Sequence, residues 1–128
     1  MSLDELLAGR PCDASLRGRR VLVLEDDCLL ALDLLEELRR CGAVVIGPVG
    51  TVAEALGLLE SGAGPHLAIL DIKLRDGLAY PVADALRARG VPFLFASGID
   101  PAAIPAAYAG VALAQKPVAL RGGASPAC

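Results

Sequence analysis

The sequence predicts an α/β fold in which an open, five-stranded parallel sheet is doubly wound by helices on both faces. Three observations predict it. Four apolar runs of strand length, Val21-Leu22-Val23-Leu24, Leu67-Ala68-Ile69-Leu70, Phe93-Leu94-Phe95-Ala96 and Val111-Ala112-Leu113-Ala114, are continuous, as strands buried on both faces require. Helical patterns bounded by turn residues stand between the runs, which is the alternation that parallel strands need for their crossovers. Each run also leads into polar residues: Glu25-Asp26-Asp27, Asp71, Ser97 and Lys116-Pro117. The carboxyl ends of such strands share one edge, where ligands bind at the point of strand-order reversal. Carboxylates, a hydroxyl and an ammonium would converge there, making a site for a cation and a phosphoryl group.

Taken in order, Ser2-Leu3-Asp4-Glu5 reads as a capping box, with Leu3, Leu6 and Leu7 on one face and Gly9 placed to stop a short helix over 3–8. So short a helix must pack on something to persist. After the first strand, Asp26 or Asp27 can cap a helix over about 28 to 41, with Leu30, Leu34, Leu35 and Leu38 on its inner face and Gly42 ending it. Residues 43–47 read as a second strand, and Thr51 with Glu54 opens a helix to about Glu60. Residues 61–65 break the chain before the third strand. A third helix runs from near Pro81 to Arg89, closed by Gly90. Pro101 and Pro105 bracket the fourth helix, and Pro105 costs a helix interior ~3 kcal/mol, so a short, irregular or late helix is expected. After Pro117 eleven residues remain, with Gly122-Gly123 and Pro126 among them, so a truncated fifth helix is expected. The surface it leaves would be covered by the N-terminal segment or by a second copy, a possible homodimer. Right-handed crossovers favour the flavodoxin-like order 2-1-3-4-5. The expected organisation is an N-terminal extension over 1–18, one domain over 19–118 and a C-terminal tail over 119–128.

Composition narrows the function. At 128 residues the chain makes one domain with a real core. Its net charge is −3 and its basic residues form no long run, so no nucleic-acid partner is expected. No apolar stretch approaches the roughly 20 residues of a membrane span, and Asp4 and Glu5 spoil a signal peptide, so a cytoplasmic protein with no membrane partner is expected. Cys12, Cys28, Cys41 and Cys128 lie far apart with no C-x-x-C and no nearby histidine, against zinc and against a redox dithiol. Cys28 and Cys41 are expected in the core, whereas Cys12 and Cys128 lie in terminal segments that can crosslink on oxidation. His66, the sole histidine, is expected to fill space or face solvent.

The motifs V-L-V-L-E-D-D, L-A-I-L-D-I-K-L, F-L-F-A-S-G and Q-K-P, in this order across roughly residues 19 to 118, resemble the receiver domain of bacterial two-component response regulators in its single-domain, chemotaxis-regulator-like form. With G-P-V-G at 47–50 and Y-P-V-A-D-A-L at 80–86, the chain is similar to a subgroup whose fourth strand ends Phe-Ala-Thr-Gly, although Ser97 replaces the Thr and Asp100 a usual aromatic. The resemblance implies that Asp71 accepts a phosphoryl group from a histidine kinase or histidine phosphotransfer protein. It implies Mg²⁺ bound by Asp26, Asp71 and the backbone carbonyl of Lys73, with Glu25 acting directly or through water. Lys116 would pair with the phosphoryl oxygens, and Ser97 would hydrogen-bond one of them after transfer. The family's switch also uses an aromatic three residues before the lysine. Leu113 stands there, so a signal must travel through the loop after Ser97 and the weak fourth helix. The implied protein is a signalling switch without a DNA-binding output domain rather than an enzyme.

Each residue has a plainer reading. Asp26 and Asp27 can be helix caps alone, Asp71 a turn residue before Lys73, Ser97-Gly98 a loop, and Lys116 a surface charge. Glu25 resists this, because a carboxylate ending a buried strand is costly unless paired or metal-bound. One alternative is a degenerate receiver that binds a partner without phosphate. Another is a nucleotide-binding or phosphatase-like enzyme, but the first βα turn is acidic rather than Gly-rich and would repel a pyrophosphate. Lys73 also occupies the second position of a would-be D-x-D motif.

Overall fold

The computed structural model describes residues 16–62, 64–97, 101–108, 111 and 113–115. Five strands form one parallel sheet: β1 (Arg20–Leu24), β2 (Val44–Val49), β3 (Leu67–Leu70), β4 (Phe93–Ser97) and β5 (Leu113–Gln115), in the order 2-1-3-4-5. Helix α1 (Cys28–Arg40) joins β1 to β2, α2 (Val52–Glu60) joins β2 to β3, and α3 (Tyr80–Ala88) precedes β4.

The continuous apolar runs divide between two cores by strand period. Leu22, Leu24, Ala68, Leu70 and Phe95 face α2 and α3, meeting Ala55, Leu59, Val82, Ala83 and Leu86. Their neighbours Val21, Val23, Ile69, Leu94 and Ala96 face α1, meeting Leu34 and Leu38. Both faces of the sheet are therefore covered, which is what an all-parallel sheet needs. The buried face of α1 is Ala31, Leu34, Glu37 and Leu38; Leu30 and Leu35, expected on the inner face, are only half-buried. Glu37, at 3% exposure, is an unexpected buried charge, and Arg40 one turn later pairs with it.

The second strand starts one residue later and runs two residues further than expected, to Val49. Its pairing with β1 shifts between Leu22 and Leu24, at Gly47-Pro48. Gly47 has φ of 101°, and a Cβ there would lie 2.9 Å from Val49 N and 3.0 Å from Val23 O, so only glycine fits. Pro48, which lacks an N–H, is tolerated because β2 is an edge strand.

No regular fourth helix forms among the described residues. Two 3₁₀ turns, Pro101–Ala103 and Ala106–Tyr108, stand in its region, in line with the proline argument. Tyr108 ties this segment to α3. Its ring stacks on Tyr80 at 4.6 Å, its hydroxyl donates to Asp84 Oδ1 at 2.7 Å, and Arg87 Cζ lies 4.9 Å from the ring centre. Asp84's acceptor holds the Tyr108 hydroxyl above the usual phenol range, helped by burial.

Cys41 is a buried thiol, as expected. Cys28 is not a core residue: it is exposed and disulfide-bonded, since the first position of α1 does not belong to the buried face formed by Ala31, Leu34, Glu37 and Leu38. His66 is exposed and its Nδ1 accepts the backbone N–H of Arg20 at 2.9 Å, pinning the start of β1 beside β3. The expected helix over 3–8, the C-terminal tail and the truncated fifth helix fall outside the described residues.

Candidate functional site

The adjacent ends of β1 and β3 bring three carboxylates together. Glu25, Asp26 and Asp71 offer oxygens that all lie within 4.8 Å of one another. The ladder continues one residue past each strand and fixes the backbone beneath them: Glu25 N–H donates to Val49 O at 2.9 Å, and Asp71 N–H to Leu24 O at 2.8 Å. Glu25 is 4% exposed and Asp71 5%. Such burial opposes negative charge unless donors or a cation compensate. Glu25 Oε2 accepts the Asp27 N–H at 3.0 Å, which answers part of that demand.

The two aspartates that the sequence left as alternative caps of α1 are separated here. Asp27 is the N-cap of α1, its Oδ1 accepting from Leu29 N–H at 2.9 Å and Leu30 N–H at 3.2 Å. Asp27 is exposed and spent on the cap, whereas the half-buried Asp26 joins the acidic cluster. The donor set is oxygen only, with no thiolate or imidazole among the described residues of the cluster. It suits a small hard cation such as Mg²⁺, which takes carboxylates and retains waters.

The remaining expected residues stand as follows. Phe95 pairs with Leu70, and the backbone of Ser97, two residues on, ends β4 at the same sheet edge. Lys116 follows the last residue of β5 and lies outside the described residues. Lys73 opens a small antiparallel hairpin, Lys73–Leu74 against Gly77–Leu78, with its side chain exposed.

That hairpin carries a feature the sequence reading missed. Asp76, at its turn, accepts Val52 N–H at 2.8 Å on Oδ1 and Ala53 N–H at 3.1 Å on Oδ2. These are the first amides of α2, and Thr51 Oγ1 takes the third, from Glu54, at 3.1 Å. Together the two residues satisfy three of the four orphan donors of the helix start. The Val52 amide has the largest effect and lowers the Asp76 carboxyl below its usual range; burial opposes it next, and the Ala53 amide and the charge of Arg75 add to the lowering. The segment after Asp71 is thus clamped to the helix after β2. Asp76-Gly77 was a visible turn signal, but nothing local names the helix it caps.

No protein-family model matches the chain. Among curated proteins, the phyllosphere-induced regulator PhyR of Methylorubrum extorquens is 34% identical over 90 residues, 69% of this chain and 33% of PhyR. The chain spans about a third of the length of the curated relatives it matches. Among solved structures, SdrG from Sphingomonas melonis Fr1 superposes with a TM-score of 0.69 at 38% identity, over 78% of this chain and 85% of SdrG. Its BeF3-activated conformation gives 0.67. A response regulator receiver protein from Sinorhizobium medicae gives 0.68 at 28% identity, over 80% of this chain and 85% of that one. With the sheet order, the acidic edge and these likenesses in agreement, the chain belongs to the response-regulator receiver domains.

Proposed function

We propose that this receiver domain is a phosphoacceptor signalling switch that takes a phosphoryl group onto Asp71 from a histidine kinase or histidine phosphotransfer protein and changes its binding to a partner. One observation carries the reading: Asp71 is buried at the end of the central strand within 4.8 Å of two further carboxylates. A carboxylate oxygen of Asp71 attacks phosphorus. The new O–P bond forms as the donor's P–N bond breaks, and the electron pair stays on the donor imidazole. Asp26 and Asp71, with the backbone carbonyl of Lys73, would hold Mg²⁺, and Glu25 would act directly or through water; the bound ion supplies the neutralisation that lets an anion approach a carboxylate. Lys116 pairs with the phosphoryl oxygens, and Ser97 donates to one of them only after transfer, which biases the following segment. The BeF3-activated conformation of SdrG supports this reading, because beryllium trifluoride stands in for a phosphoryl group on a carboxylate.

The test is intact mass after incubation with acetyl phosphate and Mg²⁺. The wild type should gain one phosphoryl mass and Asp71→Asn none. Labelling retained in Asp71→Asn would move the acceptor elsewhere. An unlabelled wild type would leave a partner-binding module that works without phosphate.

A further inference from the structure

Beside the acidic cluster lies a cavity of about 330 Å³, whose lining includes Glu25, Asp26 and Arg75 together with Ala31, Pro48 and Val49. Arg75 sits at the hairpin turn, four residues after Asp71, and its side chain is exposed. Its place is set by two neighbours. Asp76 clamps the turn to the start of α2, and Gly50 leaves the space that the guanidinium fills. A Cβ on Gly50 would lie 2.6 Å from Arg75 Nη2 and 3.6 Å from the Asp26 Cα, so guanidinium and acidic cluster flank the same opening. Among the described residues Arg75 forms no ion pair, although its charge acts on the neighbouring Asp76 carboxylate. Glu54, the other acid at the cavity, is turned to Thr51 Oγ1 at 3.0 Å and Gly50 N–H at 3.3 Å.

A guanidinium placed this way has a use that follows from charge. The cluster repels any anion that comes to deliver a phosphoryl group, and the repulsion acts during approach, before the reacting atoms meet. A planar fork of N–H donors at the rim matches phosphoryl oxygens in geometry as well as sign. We propose that Arg75 is a donor-recognition residue, which binds the oxygens of an anionic phosphodonor at the mouth of the site and hands the phosphoryl group on toward Asp71. This rests on Asp71 being the acceptor. Arg75 sets donor affinity and leaves the bond-making step to the buried carboxylates.

The experiment is the rate of phosphoryl-mass gain over a range of acetyl phosphate concentrations, with Mg²⁺, at low and high salt. Arg75→Ala should raise the half-saturating donor concentration about two- to fivefold, flatten its salt dependence and leave the maximal rate unchanged. Arg75→Lys should recover part of the loss, since it keeps the charge without the fork. Gly50→Ala retains the arginine but displaces its tip, and should shift the donor dependence in the same direction while melting close to wild type. Wild-type donor and salt dependence in both Arg75→Ala and Gly50→Ala, with Asp71→Asn still unlabelled, would overturn the role of Arg75 and spare the acceptor. A lower maximal rate at unchanged half-saturation would assign Arg75 a structural part instead. A wild type that gains no mass would overturn both readings together.

Discussion

Asp26 and Asp27 carry the same side chain one bond apart, and the backbone gives them different surroundings. Asp27 has extended torsions, φ −87° and ψ 114°, which aim its carboxylate back at the amides of α1. Asp27→Ala should therefore cost about 1 kcal/mol of stability, read by thermal or chemical melting, and leave Mg²⁺ affinity nearly intact. Asp26→Ala should do the reverse. Removing one of three clustered carboxylates relieves their repulsion in the metal-free domain, so its melting point without Mg²⁺ should hold or rise. Mg²⁺ binding by calorimetry should fall steeply in the same variant. Equal losses of affinity in both variants would mean that the metal register is displaced by one residue.

At the scale of elements, the clamp between the hairpin and α2 rests on one carboxylate. The Asp76 carboxyl is held below its ordinary value of 3.8 in the folded protein, so the fold favours its ionised form. The sign follows: the stabilisation is complete at pH above the unfolded value and is lost as pH falls through the folded one. Wild type and Asp76→Ala should differ most in melting temperature above the ordinary titration range of the carboxyl and converge as pH falls below it. A gap that stays constant over that range would show that the variant loses packing rather than the ionised cap. Arg75 is carried on this hairpin, so Asp76→Ala should also loosen donor dependence in the direction of Arg75→Ala.

For the whole molecule, the stability is distributed unevenly. The strands β1 and β3 lie between two cores, with Val21, Val23, Leu24 and Leu70 almost fully buried. The connection from β4 to β5 has short 3₁₀ turns and one buried ring, Tyr108, which also meets Phe95 edge-on at 6.1 Å. Tyr108→Phe loses the bond to Asp84 and should cost on the order of 1 kcal/mol. Tyr108→Ala also removes the ring packed against Tyr80 and Phe95 and should cost about 3 kcal/mol. Hydrogen exchange should locate the damage: amides of 101–108 should lose protection in Tyr108→Ala while those of β1 and β3 keep theirs. Uniform loss across the sheet would mean that the segment folds and unfolds with the rest.

By itself the sequence determined the strands, their alternation with helices, the order of the parallel sheet and the three carboxylates at its edge. These are carried by short-range signals: continuous apolar runs, Thr51 with Glu54, Gly42 and Gly90 after helices, and prolines where a fourth helix would stand. Only the tertiary structure decided which aspartate caps α1, since Asp26 and Asp27 both satisfy the same local rule. It also decided that Cys28 points outward and that Glu37 is buried, because the orientation of α1 on the sheet sets which of its faces is covered. The Asp76 clamp and the Tyr108 bond to Asp84 each join residues 24 apart in the chain. No local pattern encodes such a meeting. It arises when the crossovers close and bring two unsatisfied groups to the same place.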